Sequence, residues 1–222
     1  MIRTIEVREN INRQNDCEAE ALRKRLTEQG TVMLNVMSSP GSGKTTLLTE
    51  LIRCLSGKLK LAVMDVDIET DLDAERIVRN TGIESIQIHN GGLCHIDAGM
   101  TAEAIEKSGI DISEIDLIFL ENIGNLVCPA EFDTGSHKNI MLLSVPEGDD
   151  KPLKYPLMFT VCDLIVITKL DTLPAFDFNI PLCKKYIYRL NPEAKILEVS
   201  AITGDRMTLL AEEILKMVDL SK

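Results

Sequence analysis

The sequence predicts an α/β fold of three layers, a mainly parallel β-sheet with helices on both faces. Three observations carry this prediction. Short apolar runs alternate with helix-length segments along the whole 222 residues, the signature of βαβ units. Most runs are apolar throughout instead of alternating with polar residues, which marks strands buried on both faces. The first run passes through a glycine-rich turn straight into a helical segment, so the sheet opens on a strand–loop–helix unit.

The elements follow in order. Residues 8–29 form a charged helix whose buried stripe is Ile11, Ala21, Leu22 and Leu26, and Gly30 stops it. VMLNVM (32–37) is the first strand, and a helix runs from the glycine loop through Cys54. KLAVMDV (60–66) leads to a polar loop and a helix over 73–80. ESIQIH (84–89) leads to a loop and a helix over 101–107. DLIFLE (116–121), NIMLLSV (139–145), DLIVIT (163–168) and KILEVS (195–200) are further strands, with helices over 181–190 and 207–220. No repeat, low-complexity tract or linker divides the chain. Residues 1–222 are therefore expected to form a single domain, with an N-terminal helical segment at about 1–30.

Composition narrows the function. The formal charge is −11 with no Lys/Arg run, so nucleic acid and anionic membrane are poor partners, their phosphates being repelled. MIRTIEVREN places charges where a signal peptide needs an apolar run. No stretch approaches the ~20 apolar residues of a membrane helix. Six widely spaced cysteines do not make a disulfide framework, and a cytoplasmic setting is expected.

Between the first strand and its helix, Ser38-Ser-Pro-Gly-Ser-Gly-Lys-Thr-Thr matches the P-loop pattern except that Ser38 holds the first glycine's place. Gly41, Ser42 and Gly43 turn backbone N–H groups toward phosphate oxygens. Lys44 is expected on the β- and γ-phosphates, the Thr45 hydroxyl on Mg²⁺, and Thr46 is a further nucleotide-binding candidate. ITKLD supplies a guanine reader. Asp171 can accept from the N1–H and N2–H₂ edge that adenine lacks, and Lys169 can stack its stem along the base. Thr168 stands where Asn is usual. Ser200 and Ala201 follow a later strand, where the Ala201 N–H can reach guanine O6. Together these predict a P-loop NTPase that prefers GTP.

Hydrolysis needs groups around the γ-phosphate. Asp67 is a candidate for Mg²⁺ or water, with Asp65, Glu69, Asp71 and Asp73 close by in sequence. Glu121 closes an apolar strand as a second Mg²⁺ candidate, and Gly124 completes an E-x-x-G run that can sense the γ-phosphate. Lys44, Asp67 and Glu121 are thus the candidate catalytic groups. EGDDKPLKYP brings Lys151 and Lys154, which either reach the nucleotide or are ordinary solvated lysines.

Cys94 and His95 share the loop after the third strand, and Cys128 lies seven residues beyond Glu121. Two thiols and an imidazole suit Zn²⁺ or Ni²⁺. They are one fewer than a closed four-ligand zinc site, and pairing across a two-fold axis would supply more. Cys17, Cys54, Cys162 and Cys183 read as small core residues, and His89 and His137 as surface or loop residues. A Cys-His protease couple lacks its signature sequence. A P-loop kinase is the alternative from another class, but TKLD and SAITG argue against it, and no arginine lid is evident.

The runs SSPGSGKTT, DIETDLDAERI, GGLCHIDAGM, ENIGNLVCP, EGDDKPLKYP, ITKLD and SAITG, in this order over 31–222, resemble the HypB family, the nickel-incorporation GTPases of NiFe-hydrogenase maturation. The related urease accessory GTPase carries a Cys-Pro-His motif instead of this split arrangement. The resemblance implies a G-domain that forms a homodimer when GTP is bound, and nickel or zinc on Cys94, His95 and Cys128. It also implies nickel transfer accompanied by hydrolysis, a HypA-type nickel/zinc chaperone as partner of the N-terminal region, and a hydrogenase large-subunit precursor as indirect recipient. Three features depart from the family pattern. The sequence has no Cys-x-x-Cys-Gly-Cys run or histidine run, so nickel storage there is not expected. Thr168 replaces Asn, and Val66 replaces the Gly that often precedes the aspartate at Asp67.

Overall fold

A computed structural model describes residues 8–67 and 72–221, with side chains from Arg13 onward. At its centre lie β1 (Val32–Ser38), β2 (Leu61–Asp67), β3 (Glu84–His89), β4 (Leu117–Gly124), β5 (Lys138–Ser144), β6 (Leu164–Thr168) and β7 (Lys195–Glu198). They form one sheet in the order β3-β2-β4-β1-β5-β6-β7, every pair parallel. All strand C-termini therefore share one edge. β1 lies between β4 and β5, so the crevice beyond its end is the switch point where open α/β sheets bind ligands.

The helices are α1 (Arg8–Glu28), α2 (Lys44–Leu55), α3 (Leu72–Thr81), α4 (Ala98–Ser108), α5 (Lys151–Lys154), α6 (Pro156–Thr160), α7 (Ile180–Leu190) and α8 (Met207–Ser221). On one face Leu34, Phe119 and Leu142 pack against Leu48 and Ile52 of α2 and Ile214 of α8. Each such buried side chain contributes about 1.5–3 kcal/mol. The other face carries two separate clusters. Met64, Ile118 and Leu120 meet Leu22 and Leu26 of α1 and Ile105 of α4. Met141, Leu143 and Ile165 meet Phe159 of α6 and Ile187 of α7.

Between these clusters runs a polar seam. Asn122 on β4 donates Nδ2 to Asn35 Oδ1 on β1 at 3.0 Å, Asn35 Nδ2 donates to Asn139 Oδ1 on β5 at 3.0 Å, and Asn139 Nδ2 donates to the Val161 carbonyl at 3.1 Å. Asn35 and Asn122 are almost fully buried. Their mutual bonds make that burial tolerable.

The structure departs from the sequence expectations in several places. β4 does not stop at Glu121 but continues to Gly124, with a register shift opposite Val36–Ser38. Glu121 and Asn122 stay within the strand because each finds a side-chain partner there, Thr45 and Asn35. Asp67 is the last residue of β2 and not a loop residue. EGDDKPLKYP folds into α5 and α6, each with a proline at its start, where the missing N–H costs nothing. On α1, Asn15 and Ala19 are buried with Leu22 and Leu26, whereas Ala21 faces solvent; the side chain of Ile11 lies outside the described residues. Cys162 and Cys183 are core residues as expected and Cys54 is half-buried, but Cys17 is exposed. His137 is half-buried on the edge of the core, its Nδ1 accepting the Met33 N–H at 3.0 Å. Among the described residues no helix is long and apolar enough to cross a membrane.

Candidate functional site

The loop after β1 is shaped by two left-handed residues, Gly41 (φ 73°) and Gly43 (φ 96°), a conformation costly for any residue with a Cβ. Gly43 is also the N-cap of α2 and leaves its first N–H groups without a side-chain cap. Those groups and the helix dipole favour an anion at this end. Lys44 Nζ donates to Ser38 Oγ at 3.0 Å, so the serine in the first glycine position serves as a rest for the lysine.

Beside the loop lies a carboxylate cluster. Thr45 Oγ1 donates to Glu121 Oε1 at 3.0 Å. Asp65 on β2 stands opposite Glu121 on β4. Both carboxyls are nearly fully buried, and Glu121 Oε2 and Asp65 Oδ2 have no hydrogen-bond partner. Burial, then the Asp65 charge, pushes Glu121 up to about 8. Burial, then Asp73 and Asp67, pushes Asp65 up to about 7, against the pull of Lys44. Two orphaned, buried carboxylate oxygens beside a threonine hydroxyl and a phosphate loop fit a hard divalent cation such as Mg²⁺. Asp67 lines the same cavity of about 290 Å³ with Pro40, Lys44 and Gly124. Gly124 is needed there because a Cβ would lie 3.0 Å from the backbone N and Cα of Pro40. Glu69 and Asp71 lie outside the described residues.

The other end of the crevice is a cavity of about 270 Å³ lined by Gly43, Thr46, Lys169, Asp171, Ala201 and Ile202, among others. Lys169, itself left-handed (φ 60°), donates Nζ to the Gly41 carbonyl at 2.6 Å. Its stem therefore lies across the phosphate loop. The Thr168 hydroxyl donates to the Ser42 carbonyl at 3.0 Å, tying the end of β6 to the same loop. Ser200 Oγ donates to Asp171 Oδ1 at 2.5 Å and leaves Oδ2 for a ligand. An apolar slot ending in a carboxylate suits a planar base with paired donors.

The thiols sit on the loops that leave β3 and β4. Gly91 and Gly92 (φ 71° and 84°) bend the first loop, and Asn90 Nδ2 ties it by donating to the carbonyls of Leu93 and His95. Cys128 opens a single 3-10 turn in the second. Across the gap the two Sγ atoms lie 2.8 Å apart. That contact, with desolvation, pushes the Cys94 thiol above its ordinary value. Asn125, just beyond β4, donates Nδ2 to the Cys94 carbonyl at 3.3 Å and accepts the Val127 N–H at 2.9 Å. His95 Nδ1 is 3.8 Å from Cys94 Sγ, but its ring lies flat on Phe132, 3.9 Å between centroids. Among the described residues no three His, Cys, Asp or Glu side chains converge as a metal group. The thiols meet, and the imidazole stands beside them.

Residues 32–198 match the family model described as "CobW/HypB/UreG, nucleotide-binding domain". Over 206 residues the chain is 46% identical to the hydrogenase maturation factor HypB of Azotobacter chroococcum mcd 1, an alignment covering 92% of this chain and 66% of that protein. The chain thus spans about two thirds of that relative's length. A crystal structure of HypB from Helicobacter pylori in complex with nickel superposes with a TM-score of 0.87 at 38% identity, covering 93% of this chain and 95% of the other. The chain belongs to the HypB family. HypB from Archaeoglobus fulgidus is similar too, with a TM-score of 0.84 at 36% identity, covering 92% and 98% of the two chains.

In this HypB-family chain, Ser42, Gly43, Thr46, Thr168, Lys169, Asp171 and Ala201 line one crevice, and Ser200 reaches it only through its bond to Asp171. Cys94 and Cys128 meet on the loops that leave β3 and β4, while the His95 ring is stacked on Phe132. Lys154 instead pairs with Asp150, and Lys151 lies 5.3 Å from the Tyr155 ring centroid. Asp65 stands closer to Glu121 than its place among the neighbouring acids predicts. The signal was present, since a charged residue inside the apolar run LAVMDV needs a buried partner. Phe132 and Asn125 carry no comparable signal.

Proposed function

We propose that this protein is a GTPase that binds nickel as cargo and releases it in step with its nucleotide state, during maturation of NiFe-hydrogenase. The observation that carries the reading is the meeting of Cys94 and Cys128 at 2.8 Å, the second on the loop that leaves the strand holding Glu121 and Gly124. The relatives support it, one being named hydrogenase maturation factor HypB and another crystallised in complex with nickel. In this reading residues 1–222 act as one G-domain in the cytoplasm.

Guanine lies in the slot against Asp171, with Lys169 along its face and the Ala201 N–H toward O6. Gly41, Ser42, Gly43 and Thr46 cradle the phosphates, while Lys44 exchanges Ser38 for the β- and γ-phosphates. Thr45, Glu121 and Asp65 hold Mg²⁺, which when bound neutralises charge on the phosphate oxygens. Asp67 orients the attacking water. The water oxygen bonds to the γ-phosphorus as its bond to the β–γ bridging oxygen breaks, giving GDP, inorganic phosphate and a proton. The Gly124 N–H senses the γ-phosphate. Cys94, His95 and Cys128 hold Ni²⁺ or Zn²⁺, and a GTP-dependent homodimer completes the ligand set. A HypA-type nickel/zinc chaperone is the proposed partner, and a hydrogenase large-subunit precursor the indirect recipient.

The test is Ni²⁺ affinity with GDP and with a non-hydrolysable GTP analogue. Coupling predicts a difference of about 5- to 150-fold; equal affinities reject it. A turnover assay separates the reactions, free phosphate marking a GTPase and a phosphorylated acceptor a kinase.

A further inference from the structure

Both thiol-bearing loops are held by a helix that lies outside the matched family domain. Asn15 on α1 is 6% exposed. Its Oδ1 accepts the Ala98 N–H at 3.0 Å, and its Nδ2 donates to the Asp133 carbonyl at 3.0 Å. Ala98 is the first residue of α4, directly after the N-cap Asp97. Ile96 before it is fully buried, so fixing Ala98 fixes the short run back to Cys94 and His95. Asp133 follows Phe132, whose ring carries the His95 imidazole, and ends the short segment that begins at Cys128. One buried amide thus touches the backbone of both loops.

We propose that Asn15 is a positioning residue of the metal site, setting through these two bonds how Cys94 and Cys128 face each other and how His95 lies. The inference rests on the metal role proposed above for those three residues. Asparagine suits the task because it offers a donor and an acceptor on one short, uncharged stem. Leucine would lose both bonds, and aspartate would lose the donor. Neighbouring contacts serve the same end. Arg23 clamps Asp133 through both carboxylate oxygens and donates to the Ser136 carbonyl. Glu18 packs so closely on Gly99 that a Cβ there would lie 2.7 Å from Oε2. The cover of the core on this side comes from Leu22 and Leu26; Asn15 adds no apolar surface, and its contribution lies in the two bonds.

The experiment titrates the full chain with Ni²⁺, following the thiolate-to-nickel charge-transfer absorption, with GDP affinity measured in parallel. Asn15→Ala is expected to weaken Ni²⁺ binding about tenfold, the scale of outer-shell changes at metal sites. Its charge-transfer band should weaken or shift, with GDP affinity unchanged. Asn15→Asp keeps the acceptor for Ala98 and loses the donor to Asp133, and should fall between Asn15→Ala and the wild type. Wild-type affinity and an unshifted band in both variants overturn the inference. If Asn15→Ala fails to bind GDP and is therefore misfolded, Asn15→Asp decides by the same criterion. If the wild type's Ni²⁺ binding is indifferent to Cys128→Ala, the metal role itself falls, and this inference with it.

Discussion

Glu121 and Asp65 hold protons in the folded, nucleotide-free protein that the unfolded chain would have lost. Burial raises them from 4.5 to about 8 and from 3.8 to about 7. A carboxyl whose pKa rises on folding favours the native state below its unfolded pKa, and that advantage is lost as pH climbs through the folded value. Stability of the metal-free protein should therefore decline from about pH 4 toward pH 8 through these two groups. Glu121→Gln stays neutral throughout, so its melting temperature should gain on the wild type between pH 5 and pH 8. A gap that stays constant over that range contradicts this account. At the other end of the crevice, Asp171→Asn replaces an acceptor of two base N–H groups with an amide. Hydrogen bonds to a charged group are worth about 1.5–3 kcal/mol, so GDP affinity should fall at least about tenfold by calorimetry, with ADP affinity little changed.

At the scale of elements, the asparagine seam holds β4, β1 and β5 in register on the face away from α2. Asn35→Leu would strand a donor of Asn122 and an acceptor of Asn139 inside the sheet. An unsatisfied buried group costs about 1–3 kcal/mol, so urea unfolding should show a loss of about 2–5 kcal/mol. A loss below about 1 kcal/mol would mean the seam is filler. The elements also mark how far the sequence could be read. Strands such as LIVIT were legible because unbroken apolar runs need no distant partner to be strands. The continuation of β4 past Glu121, through Asn122 to Gly124, was not, because Asn122 depends on Asn35, supplied from β1. The candidate site divides in the same way. The phosphate loop and TKLD announce their chemistry locally. The Cys94–Cys128 meeting and the Asn15 clamp join residues 34, 83 and 118 positions apart.

For the whole molecule, the strand order places β4 and β1 at the centre and β3 and β7 at the edges. Every residue of β1 is buried, whereas along β3 only Ile88 is. Amide hydrogen exchange should follow this gradient, with β1 and β4 opening only in global unfolding and β3 opening at lower free energy. Uniform protection across the sheet would refute it. The Cys94 loop thus leaves the less protected side of the molecule, while the phosphate loop leaves its most protected strand. The proposed cargo site therefore lies toward an edge of the sheet and the phosphate loop at its centre.

The Asn125 bridge has a mechanical consequence. From Gly124 to Cys128 the chain can span at most about 14 Å fully extended, and Asn125 uses part of that length in binding Val127 and the Cys94 carbonyl. Asn125 is thus one anchor shared by the two thiol loops, bonded to the Cys94 carbonyl on one side and to the Val127 N–H, next to Cys128, on the other.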